Sequence, residues 1–239
     1  MPRFGRTIGL ALLPVLLLSS SLQSGPPLSG RVVDPAGQPI AEAVVISSGV
    51  GFQGWATSIP DGTFQLPATG AYVSVRHPKL KTRLIATREL GQPALVQLDP
   101  AAEADFLRVP QCSGGSDASR SWVGPGLRIR RTRRGVKGPV HGEHDEHWYI
   151  GFGRETLHLV NGAFWHAGLP SERTLLDSPS ISVRSWRSGP LVGLDLSGST
   201  ADGKRWCWLG AQMGSAIEYS DASPEAAAYF DRLLKTVCY

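Results

Sequence analysis

The sequence predicts a mainly β protein: a seven-stranded β-sandwich followed by an α+β domain in which a C-terminal helix lies on an antiparallel sheet. Two observations carry this. Glycine and proline are abundant (28 and 18 of 239 residues) while only 18% of residues are charged. Short apolar runs recur between turn signals, the punctuation of antiparallel strands.

From residue 28 the runs follow one another closely. "SGRVVD" leads into "PAGQPI", where Pro35, Gly37 and Pro39 supply turn geometry, and then into "AEAVVISS". "WATSI", the turn at Pro60 to Gly62, "TFQLP", "AYVSVRH", "TRLIAT" and "ALVQLD" complete the set. At "PAAEAD", residues 100–105, the composition changes, and a short linker is expected there.

Beyond it, strands are expected in "GLRIRRTRR", "HWYIGFG", "TLHLVNG", "SISVRSW", "LVGLDLSG", "KRWCWLGAQ" and "AIEYS", with a hairpin turn through Asp202 and Gly203. Ser223 suits a helix N-cap, Pro224 the first helical position and Glu225 the first turn. Ala226, Phe230, Leu233 and Val237 then recur at helical spacing and make one apolar stripe. The expected boundaries are residues 1–24, 25–100 and 101–239.

The first segment reads as a secretory signal peptide: Arg3 and Arg6, the apolar run Ile8 to Leu18, then small polar residues. The run is too short to span a membrane and Pro14 interrupts it. A secreted or periplasmic protein is expected, without a transmembrane segment once the signal is removed. Loss of Arg3 and Arg6 takes the formal charge from +4 to about +2, too little to argue for nucleic acid.

In an oxidising compartment three cysteines allow one bridge. Cys112 with Cys238 is the expected pair, because these residues bracket the second half and would tie its ends together. Cys207, inside the apolar "WCWL", is expected to remain a buried free thiol.

"GRVVDPAGQPIAEAVVI" followed by "TSIPDGTFQL" resembles the carboxypeptidase regulatory-like family, a transthyretin-type sandwich, over residues 28–99. The late Gly-Tyr of many members is replaced here by "VRHPKLKT". The resemblance implies a non-catalytic accessory fold, grouped with carbohydrate-binding-like sandwiches. It implies no peptidase, since no histidine in the chain is followed by glutamate at the third position. "LPSERTLLDSPS", "DGKRWCWLG" and "SPEAAAYFDRLLKTVCY" resemble the C-terminal halves of secreted bacterial proteins that pair this region with the same sandwich and have no assigned activity.

Three features could carry chemistry. "HGEHDEH" spaces His141, His144 and His147 by three, which could reach one divalent metal from a helix face or a curled loop. Pro139 and Gly142 oppose a helix, and the plainer reading is a solvated acidic loop facing the arginine run. In that run Arg128 and Arg130 would share one strand face, opposite Leu127 and Ile129, as a cationic surface or a charge-guarded edge. Trp206 and Trp208 would project from one strand face; exposed, they would stack on sugar rings, and buried, they would fill a core.

No nucleophile elbow or metalloprotease motif is present in the sequence. The expectation is therefore an exported, non-catalytic binding protein for carbohydrate or another envelope component, without a required cofactor. Trp206, Trp208, Arg128 and Arg130 are its candidate contacts. A metal-binding protein using the three histidines and a structural interaction module are the alternatives.

Overall fold

The computed structural model describes residues 25–49, 54–112, 122–123, 127–130, 136–142, 145–162, 169–188, 191–211 and 214–239. The expected signal segment, His144 and the middle of the arginine run (131–135) lie outside these residues. Mainly β structure with a C-terminal helix is what the described residues adopt.

The first strands are β1 (Leu28–Val33), β2 (Val44–Ser47), β3 (Trp55–Thr57), β4 (Thr63–Leu66), β5 (Tyr72–His77), β6 (Leu80–Ala86) and β7 (Ala94–Gln97). They form a three-stranded sheet, β4-β1-β7, and a four-stranded sheet, β3-β2-β5-β6. Alternation along each strand sends Val32, Val45, Phe64, Val73, Val75 and Val96 into one shared core. The turns form where the sequence places them. Asp34 Oδ1 accepts the amides of Ala36 and Gln38 at 2.9 and 2.8 Å, and Gly37 sits at φ +79°.

The later strands are β8 (Phe106–Arg108), β9 (Trp122–Val123), β10 (Ile129–Arg130), β11 (Val136–His141), β12 (Asp145–Phe152), β13 (Glu155–Gly162), β14 (Ser180–Ser188), β15 (Leu191–Ser199), β16 (Arg205–Ala211) and β17 (Ser215–Ala222). Eight of them make one sheet in the order β11-β12-β13-β17-β16-β15-β14-β8, antiparallel except for β8 beside β14. Two helices accompany it, α1 (Glu172–Leu176) and α2 (Pro224–Leu234).

Both faces of this sheet are covered. On one, α2 buries Ala226, Ala227 and Phe230 against Leu159, Cys207, Leu209 and Ile217. The helix starts as its sequence requires, with Ser223 Oγ accepting the Ala226 amide and the Glu155 carboxylate taking the Ser223 amide at 2.7 Å. Val237 is buried too, but beyond the helical end rather than on the expected stripe.

On the other face Leu194, Leu196, Trp206 and Trp208 meet Leu175 of α1, with Tyr72 and Leu84 of the four-stranded sheet packed against them. Polar contacts pin this junction. Thr82 and Ser185 share a hydroxyl bond of 2.6 Å, and the Glu172 carboxylate accepts the Ala71 amide and the Ser48 hydroxyl. Arg76 is also buried on the β5 face that carries Tyr72, and burial lowers its pKa to about 10, so it stays charged at neutral pH.

The segment read as a linker is fastened down. Pro100 bridges to Leu80, Asp105 pairs with Lys81 at 3.4 Å, and Glu103 pairs with Arg187 at 2.8 Å. Arg187 also donates to the Pro78 carbonyl at 2.6 Å and lies over the Phe106 ring. An edge strand, β8, follows, for which the sequence carried no expectation. Helix α1 was likewise not foreseen.

The Cys112–Cys238 disulfide is present, joining residues 126 apart in sequence, while Cys207 is a buried free thiol. Backbone bonds reinforce the bridge: Cys112 donates to Tyr239, Tyr239 to Pro110, and Arg128 pairs with Cys238 in both directions. The cross-link closes a loop whose chain entropy is worth about 4 to 5 kcal/mol before native strain is subtracted. Cys112→Ser should therefore lower the unfolding free energy in urea by an amount approaching that figure, with a lower midpoint that added reductant no longer changes. A midpoint equal to that of the oxidised wild type would show that the backbone clamp alone suffices.

Glycine makes room for indole in this sheet. A Cβ on Gly193 would collide with the Trp186 ring directly opposite, and one on Gly210 would collide with the Trp208 ring. Gly193→Ala is expected to cost about 1 to 3 kcal/mol through displaced packing, readable as a fall in unfolding free energy with unchanged far-UV circular dichroism.

Candidate functional site

One row of directly opposed residues crosses the eight-stranded sheet: Lys137, Tyr149, His158, Glu218, Trp208, Leu196 and Val183. Cross-strand partners share a face, so the row shows how that face changes character. Its apolar end lies beneath Tyr72 and Leu84 of the first sheets. The polar end stays part-exposed, with His158 20% and Glu218 35% accessible.

There a chain of hydrogen bonds runs from one carboxylate to another. Asp145 Oδ1 lies 3.0 Å from His147 Nε2, His147 Nδ1 lies 2.8 Å from His158 Nε2, and His158 Nδ1 lies 3.1 Å from Glu218 Oε1. The carboxylates can only accept, so they place protons on His147 Nε2 and His158 Nδ1. The inner nitrogens then face each other across the strand pair. Their separation is below the about 3.5 Å of stacked carbon atoms, so the imidazoles meet edge to edge. Tyr149 stacks on His158 with centroids 4.8 Å apart and planes within 7°, which fixes that ring.

Strand alternation builds this site. In β12, Trp148, Ile150 and Phe152 pack toward α2, which leaves Asp145, His147 and Tyr149 on the opposite face. In β13, Leu157 and Leu159 point to the helix side and His158 away from it, as Glu218 does between Ile217 and Tyr219 of β17. Period-two alternation interrupted by single polar residues in "TLHLV" and "AIEYS" was the available signal. The strand register that brings them together was not legible.

Of the three histidines weighed as an alternative metal site in "HGEHDEH", His141 and His147 are among the described residues. His141 ends β11 and His147 lies in β12, and in their antiparallel pairing His141 opposes Glu146 and Val140 opposes His147. His141 and His147 therefore lie on opposite faces and do not converge. His141 sits 3.5 Å from Glu146 instead; His144 lies outside the described residues.

The exposed tryptophan row is corrected as well. Trp206 and Trp208 share one face as alternation requires, but they are 1% and 2% exposed. The Trp206 indole donates to Ser178 Oγ at 2.7 Å. Burial follows because the first sheets cover that face. Trp55, on edge strand β3, is exposed at 48%. Leu127 and Ile129 are buried while Arg130 is exposed and Arg128 half-buried, so alternation holds over these four residues.

A second polar group lies on the helix side. Arg184 bonds Asp195 at 2.6 Å, Cys207 sits beside Asp195, and Tyr219 donates to Asp231, which also pairs with Arg205. Burial drives the Cys207 thiol and the Tyr219 hydroxyl up, so both remain protonated. Neither is set up as a nucleophile.

No family model, curated protein or solved structure matches the chain.

Desolvation raises the Asp195 pKa despite Arg184. A group whose pKa is raised on folding contributes stability below its unfolded value and loses that contribution as pH rises through its folded value. Asp195→Asn should therefore gain on the wild type as pH climbs from 3.5 through the carboxylate range. Urea titrations across that window test this; a constant difference between the two proteins would contradict it.

Proposed function

We propose that the protein is an exported, non-catalytic binding protein whose ligand is carbohydrate or another polyhydroxylated envelope component, held at the polar end of the eight-stranded sheet. The observation that carries this is the part-exposed Tyr149–His158 stack flanked by the Asp145 and Glu218 carboxylates. A flat ring beside fixed acceptors suits the C–H face and hydroxyls of a sugar.

Binding fits better than catalysis because all four imidazole nitrogens are engaged within the chain of hydrogen bonds. A general base needs a nitrogen within reach of a substrate proton. The layout of β1 to β7 as three- and four-stranded sheets over one core supports the reading of this part as a transthyretin-like accessory sandwich. The disulfide, and the lack of a helix long and apolar enough to span a membrane among the described residues, fit a secreted or periplasmic address.

Calorimetric titration of the purified protein with a panel of soluble oligosaccharides tests the proposal. Tyr149→Ala should weaken the responding glycan about tenfold, the equivalent of an aromatic contact of about 1.4 kcal/mol. Trp206→Ala should lower stability by about 3 to 5 kcal/mol. Glycan binding indifferent to Tyr149→Ala would refute the assignment, as would turnover of the sugar.

A further inference from the structure

The inner nitrogens of the histidine pair raise a separate question of what else can stand between them. His147 Nδ1 and His158 Nε2 point at one another across 2.8 Å. Each ring has a carboxylate behind it, Asp145 at 3.0 Å and Glu218 at 3.1 Å, accepting the proton of the outer nitrogen. A carboxylate accepting the far N–H is the arrangement that orients a metal-binding imidazole and raises its basicity. Here it occurs twice, with both inner nitrogens facing one point.

We infer that His147 and His158 form a two-histidine site for an imidazole-seeking divalent cation of the zinc–copper class. In the metal-free protein the two nitrogens hydrogen-bond to each other. With metal–nitrogen bonds of about 2.0 to 2.1 Å at a tetrahedral angle, the nitrogens must part to about 3.4 Å. This requires a shift of about half an ångström, together with a turn of each ring that takes its lone pair off the nitrogen–nitrogen line, in two side chains that are each 20% exposed.

Asp145 and Glu218 offset the charge of the ion from behind the rings. Among the described residues no group of three or more His, Cys, Asp or Glu side chains is placed to hold a metal, so water or an external ligand takes the open positions. Imidazole ligands favour Cu2+ and Zn2+ over the earlier divalent ions of the row. The site differs from the 141/144/147 spacing in the sequence, and it does not require that the protein bind a glycan.

Calorimetric titration of the full protein with Zn2+ is the test, supported by electron paramagnetic resonance of the Cu2+ form. The wild type should bind one ion. His158→Gln, which keeps a hydrogen-bonding side chain, should lose this binding, and Glu218→Gln should weaken it about 10- to 100-fold. His141→Ala should leave it unchanged. The Cu2+ spectrum should show two coupled imidazole nitrogens in the wild type and one in His158→Gln, with thermal unfolding confirming that each variant is folded. Absence of saturable binding to the wild type, undiminished affinity in His158→Gln, or loss of binding in His141→Ala would overturn the site.

Discussion

Burial of the eight-stranded sheet from both sides is the constraint on which the rest of the structure depends. An antiparallel sheet with one wet face needs apolar residues only at alternate positions. β16 has no such economy: Trp206 and Trp208 enter one core while Cys207 and Leu209 enter the other. The strand can be stable only if helix α2 closes one face and the first sheets close the other. The tryptophans that looked like a contact surface are thereby committed to packing, and glycines are required where their rings lie.

Where that cover ends, the chemistry of the face changes. Along a single row the side chains pass from Val183, Leu196 and Trp208 to Glu218, His158 and Tyr149. Buried polar groups must find partners, and these do so by forming one continuous chain between two carboxylates. Polarity, order and partial exposure coincide at this point of the sheet, which is why recognition is assigned there rather than to the arginines or the hairpin tip.

Much of the fold was legible because it rests on local signals. Turn residues, two-residue alternation and the Ser223-Pro224 helix start depend on neighbours in sequence, and each appears where the letters place it. The disulfide could be anticipated from the position of Cys112 and Cys238 around the second half. β8 and α1 were missed because they are short and are held by distant partners, Arg187 in one case and Ala71 in the other. The site was less legible for the same reason. Equal spacing of histidines in "HGEHDEH" left convergence open as an alternative, yet the pairing of β11 with β12 puts His141 and His147 on opposite faces, and the true neighbour of His147 comes from the next strand.

The fastening of residues 100–105 has a practical corollary. The change in composition there marks a border of topology, between strands that belong to different sheets, and an engineer would choose it as the place to cut. The resulting C-terminal fragment would lose the cover of Tyr72 and Leu84 over the cluster of Leu194, Leu196 and two indoles, opening a hydrocarbon surface that recruits copies of itself. The halves can be told apart on paper, but they share one solubility.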